Sequence, residues 1–132
     1  MSEAGKAPSY WRSVMYGAII NNVISVVPYL NLANALGGIG LMLTGGVAAF
    51  HYVRANEVYP TLGVCFQIGA FAGVLGCAVW FVQFFLFGGM VIELLQIVFA
   101  AVVISGLSGV ISGSVIRRKY LSRKSEDKPQ GS

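Results

Sequence analysis

Residues 88–124 read GGMVIELLQIVFAAVVISGLSGVISGSVIRRKYLSRK. A lone carboxylate, Glu93, stands near the start, and Leu94 to Ile116 contains no Asp, Glu, Lys or Arg. Five basic residues then close the stretch: Arg117, Arg118, Lys119, Arg123 and Lys124. A hydrocarbon core of about 30 Å takes roughly 20 apolar residues in a helix, so this run predicts a membrane span with a cationic end. Inside it lies a ladder of small residues, Ser105, Gly106, Ser108, Gly109, Ser112, Gly113 and Ser114. Each glycine costs a soluble helix about 1 kcal/mol. In a membrane the same residues let two backbones touch, so the ladder predicts a packing face, with Gly109 and Gly113 one turn apart on it.

The rest of the chain repeats this pattern. No acidic residue, lysine or arginine occurs from Ser13 to Val53 or from Val58 to Ile92. The 132 residues are 56% hydrophobic and 11% charged, with mean hydropathy +0.74, against about 25% charged residues in soluble domains. The expected architecture is therefore an all-α membrane protein of four transmembrane helices in a compact, glycine-rich bundle. Residues 1–9 read as a disordered N-terminal tail, 10–121 as the membrane domain and 122–132 as a disordered basic and polar C-terminal tail. The spans fall at about 12–27, 36–53, 62–87 and 90–116. The net charge of +4 does not mark a nucleic-acid binder, because the basic residues flank apolar segments and form no surface on a soluble domain.

Polar residues inside the spans are few. Asn21 and Asn22 sit mid-span, where an amide facing lipid would cost several kcal/mol unless hydrogen-bonded; a structural bond between helices is the expected role. With Gln83 and Glu93 they also make the one candidate polar or ion path. Glu93 falls in the first turns of its helix, where a carboxylate is favoured. Gly38, Gly45 and Ala49 on the second span, and Gly69 and Gly73 on the third, extend the expected packing faces. His51, the only histidine, lies beside Tyr52 and Arg54 and reads as an interfacial residue. It has no clustered second and third ligand, so no metal or cofactor site is expected. Cys65 and Cys77 lie about 18 Å apart on one helix, beyond disulfide reach.

Pro28 is expected to end the first span, because residues before proline disfavour the α region. A competing reading takes Lys6, Arg12, the apolar run and Ala33-Asn34-Ala35 as a secretory signal cleaved after Ala35. Charge sets the topology: Lys6, Arg12, Arg54 and the basic cluster occupy one side, and the positive-inside rule makes both termini cytoplasmic in a cell inner (plasma) membrane. Arg117, Arg118, Lys119, Arg123 and Lys124 are then placed to meet anionic lipid headgroups.

Tyr16-Gly17-Ala18, the turn Pro28-Tyr29-Leu30-Asn31 with Asn34, Gly37-Gly38 and the glycine-dotted third helix resemble a loose set of small four-helix bacterial integral membrane proteins. The resemblance covers residues 15–80 and implies bacterial origin and four spans; it carries no activity. Glu93 and His51 are expected at opposite interfaces, so no catalytic pair forms and no enzyme is expected. The leading expectation is a non-catalytic accessory subunit or self-associating scaffold, a homo-oligomer or part of a larger membrane complex. An oligomeric transporter or channel is the alternative.

Overall fold

The computed structural model describes residues 7–29, 32, 38–56 and 61–126. Among these the fold is all-helical: α1 (Ala7–Val26), α2 (Ile39–Asn56), α3 (Leu62–Gly76), α4 (Ala78–Phe87) and α5 (Val91–Glu126). Because α3 and α4 are separated by Cys77 alone, these five elements make four rods. Two of them, Leu62–Phe87 and Val91–Arg123, are long and apolar enough to cross a membrane. The first two rods are not; α1 carries Arg12, Ser13, Asn21, Asn22 and Ser25, and α2 carries His51 and Arg54. The expected turn at Asn31 and Asn34, the cleavage position after Ala35, residues 1–6, Glu57 to Pro60 and residues 127–132 lie outside the described residues.

Two helices extend into segments that the sequence reads as tails. Helix α1 already begins at Ala7, within the segment expected as a tail, and Pro8 near its start fits a first turn that needs no N–H donors. Helix α5 continues to Glu126, past the expected tail boundary at 122. Its extension, SRKSE, contains Arg123, Lys124 and Glu126, which are good helix formers, and cations are favoured at a helix C-terminus. As expected, α1 stops at Val26, ahead of Pro28.

Two turns depend on left-handed backbone. Gly38, at φ 62°, precedes α2 and lies outside it. Gly88, at φ 68°, ends α4, and the Gly89 N–H returns to the Phe84 carbonyl at 3.1 Å, the closing bond of a Schellman turn. A side chain at either position would meet the steric cost of the left-handed region.

Packing is organised about α2 and α3, which touch each other; α1 lies along one side of the pair and α5 along the other. Asn21 of α1 meets Gly76, and Ser25 meets Trp80, a constant offset of 55 residues that makes α1 parallel to the third rod. Ser108 and Ser112 of α5 meet Met42 and Gly46, a constant offset of 66 that makes α5 parallel to α2.

The two seams are closed by small residues. On one side Gly17 of α1 faces the Thr44 carbonyl and the methyl groups of Ala48 and Ala72; a Cβ there would stand 2.6 Å from the Thr44 oxygen. On the other, Ser105 of α5 is wholly buried and donates its hydroxyl to the Gly69 carbonyl at 2.7 Å. A Cβ on Gly45 or on Gly69 would collide with the Ser105 backbone carbonyl, and one on Gly73 would stand 2.6 Å from the Ala101 oxygen. Gly109 and Gly113 face the Cys65 backbone and sulfur. Most buried hydrophobes are small: Val14, Ala48, Ile68 and Ala72 make one cluster, Ala49, Val53 and Cys65 another, and Leu41, Cys77 and Ala101 a third. The large apolar side chains point outward, with Phe85, Leu86 and Phe87 at least 74% exposed.

These contacts rank the glycines. Gly45→Ala and Gly69→Ala should each destabilise the protein by about 1–3 kcal/mol, because the obstacle is backbone and not a flexible side chain. Gly63→Ala should leave stability unchanged or slightly raised, since nothing lies within 4 Å of a Cβ there. SDS unfolding titrations of the three variants in detergent micelles test this ranking; equal effects at positions 45, 69 and 63 would remove the close-approach account.

Candidate functional site

The most concentrated polar chemistry lies where α1 crosses the junction of α3 and α4. Cys77 interrupts the rod with φ −88° and ψ 9°, the bridge region between helix and extended chain. Its N–H is shared between the carbonyls of Gly73 at 3.1 Å and Val74 at 3.2 Å, and normal helical bonding resumes with Phe81 N–H to Cys77 O at 3.0 Å. An unbroken helix would link the Val79 N–H to the Leu75 carbonyl. Here the Asn22 amide takes both ends: its nitrogen donates to Leu75 O at 3.2 Å, and its oxygen accepts from Val79 N–H at 3.1 Å. The other Asn22 N–H donates to Ala18 O at 3.0 Å within α1.

Asn21 completes the splice. It is 1% exposed and donates to the Gly76 carbonyl at 2.6 Å. The contact requires glycine, because a Cβ at Gly76 would stand 2.9 Å from the Asn21 Cβ. One turn further along α1, the Ser25 hydroxyl accepts from the Trp80 indole N–H at 3.0 Å. The break is thus supported from α1 by three side chains, two of them the asparagines singled out from the sequence. Buried backbone groups need partners, and in lipid that need is stricter because no water can substitute.

This arrangement leaves little for a solute. An asparagine side chain has two N–H donors and one carbonyl acceptor, and Asn22 engages both donors and its oxygen in protein bonds. A shallow groove of about 380 Å³ runs beside it, with Val23, Val26 and Val79 among its walls, and Asn22 is its polar member. Gln83 lies one turn beyond Val79 on α4 and is exposed. Glu93 is exposed at the start of α5, where its carboxylate accepts from the Met90 N–H at 3.3 Å, so it closes the first turn of its own helix. The four residues of the expected polar path are therefore divided between a bonded pair and two exposed positions.

The other end of the fold gathers the cations. Tyr10 and Tyr52 meet edge to face with centroids 6.0 Å apart, which brings the start of α1 to the end of α2. Burial raises the Tyr10 phenol above its usual range, and Tyr52 adds to the shift. His51 has partners that its isolation in sequence did not suggest: its Nδ1 lies 2.8 Å from the Ser13 hydroxyl, and its ring centroid is 4.6 Å from that of Tyr16. Among the described residues no group of three His, Cys, Asp or Glu could hold a metal. Arg54 stands exposed nearby on α2, and Arg117, Arg118, Lys119 and Arg123 are exposed on the last turns of α5; the Lys124 side chain lies outside the description. No protein-family model matches the chain, and neither a curated protein nor a solved structure does.

Ser13, Ser25, Gly17 and Gly76 carry contacts that the sequence alone did not assign. Their signal was weak, because a lone serine or glycine in an apolar helix does not name its partner.

Substitution at position 22 should expose the splice. Asn22→Leu removes the partners of Leu75 O and Val79 N–H together and should cost about 1–3 kcal/mol. Hydrogen exchange in micelles should show faster exchange at the Val79 amide, with α2 amides unchanged. A Val79 amide protected as in the parent chain would sink the account.

Proposed function

We propose that this chain is a non-catalytic integral membrane protein that crosses the bilayer four times and serves as an accessory subunit or self-associating scaffold. The observation that carries the reading is the direction of its side chains. Thr44, Ser105, Ser112, Asn21 and Asn22 bond to backbone within or between helices, while bulky apolar side chains occupy the outer surface. Soluble monomers rarely expose apolar patches beyond a few hundred Å²; hydrocarbon solvates such a surface without cost. Van der Waals contact between small residues is the packing expected when lipid and side chain are equally apolar.

In this reading α1 and α2 cross as well, with Ser13, Asn21, Ser25 and Thr44 turned into the protein and Arg12 and Arg54 exposed toward one end. The clustering of Arg12, Arg54 and the α5 cations at one end favours cytoplasmic termini and a cytoplasmic 54–61 hairpin in an inner (plasma) membrane. The aromatic face of α4, with Phe85 76% and Phe87 85% exposed, is the surface offered to a second copy, a partner helix or lipid. The resemblance over residues 15–80 is the ground for proposing a bacterial source.

A second reading, an oligomeric transporter or channel, draws on the break at Cys77, since discontinuous helices at mid-membrane form substrate and ion sites in transporters. Occupation of the Asn22 amide by backbone weighs against it. Purification in mild detergent followed by native mass spectrometry should give a homo-oligomer or a complex with one defined membrane protein; recovery of monomer alone would argue strongly against the scaffold. Proteoliposome flux abolished by Asn22→Leu or Glu93→Gln would instead establish the transport reading.

A further inference from the structure

A groove of about 460 Å³ lies between α2 and α5 at the cationic end, lined by Phe50, Ser112, Val115, Ile116, Lys119 and Arg123. The α5 residues recur at steps of three and four, so they form one stripe of the helix. Along the stripe the chemistry changes once. Val115 and Ile116, with the Phe50 ring opposite, give an apolar trough; Lys119 and Arg123, one and two turns later, give it a cationic mouth. From Val115 to Arg123 the stripe rises about 12 Å. Ser112 donates its hydroxyl proton to the Gly46 carbonyl at 3.1 Å, so the closed end of the trough is tied to the protein.

We propose that this groove binds one anionic phospholipid, with its phosphate between Lys119 and Arg123 and the upper part of an acyl chain along Phe50 and Val115. Three observations favour this occupant. The apolar trough and the cations are continuous, as an amphiphile requires and a free anion does not. Lys119 and Arg123 lie one turn apart near the end of α5, and Glu93, the one carboxylate among the described side chains, lies at the other end of that helix. Phe50 also walls a second groove, of about 410 Å³, that Arg54 lines as well, so a further cation borders a groove that shares the ring. Basic pockets between membrane helices recognise anionic headgroups through this combination of chemistry. The aliphatic stems of Lys119 and Arg123 extend the trough while their heads reach the phosphate.

The inference rests on the membrane-spanning reading, which carbonate extraction tests separately. The full-length chain, purified in detergent, would be titrated with phosphatidylglycerol or phosphatidylcholine and bound lipid counted by native mass spectrometry. Expected is one tightly retained phosphatidylglycerol, weakened about tenfold or more in K119Q/R123Q and in the groove-filling V115W, whose side chain starts 61% exposed. R117Q/R118Q, with the same charge loss at headgroup-facing positions outside the groove, should weaken retention several-fold less than K119Q/R123Q does. Equal weakening by both double variants would overturn the site in favour of diffuse attraction. Equal retention of phosphatidylcholine, normal retention by V115W, or displacement by inorganic phosphate would each overturn it as well. A protein that stays in the carbonate-washed membrane yet shows no lipid preference would lose the groove alone; release from the membrane would remove the spanning reading and the lipid site with it.

Discussion

The constraint on which the structure depends is the approach of three helix backbones at Ser105. Its hydroxyl donates to the Gly69 carbonyl, and its own carbonyl occupies the space where side chains at Gly45 and Gly69 would begin. Because the contact is between backbones, α5 can settle against α2 and α3 only where each of them presents glycine. The same rule recurs at Gly17, where α1 meets the Thr44 carbonyl. Dispersion is then gathered over many small contacts in place of a few large buried side chains, and large apolar groups are left for the outer surface.

The helical class was legible from the sequence because it depends on sums. Segregated charges, long apolar runs and small-residue spacing each survive errors of several residues, and the all-helical fold followed from them. Partnership was less legible. The Asn21-Asn22 pair announced a need for hydrogen bonds, yet the groups that meet it are freed by a break at Cys77 that has no sequence signal of its own; cysteine is neither a strong helix breaker nor a strong former. His51 looked solitary because Ser13, its partner, lies 38 residues away. Helix ends were less legible, because the length of an apolar run does not say where a helix stops: α5 continues through Arg123 and Lys124 to Glu126, residues that favour helix without being apolar.

Among the candidate residues, Asn21 and Asn22 act together, and Gln83 and Glu93 lie apart from the bonded pair. That division follows from chemistry. An amide in the middle of a packed helix must be satisfied by protein, so it is drawn into the interior, whereas a carboxylate near a turn can close its own helix. The cations obey a third logic, since α1, α2 and α5 each bring theirs to one end through their relative directions.

Consecutive residues of α2 serve opposite seams: the Thr44 carbonyl abuts Gly17 of α1, while Gly45 abuts Ser105 of α5. The helix is thus a partition one residue thick between two close contacts. In a core of leucines a volume error is absorbed by a change of rotamer. Here the obstacle on each side is a carbonyl oxygen, which has no rotamer, so relief on one side must come from rigid movement of α2 and is felt at once on the other. The partition transmits strain instead of dissipating it, and the placements of α1 and α5 are mechanically linked although they lie on opposite sides of the fold.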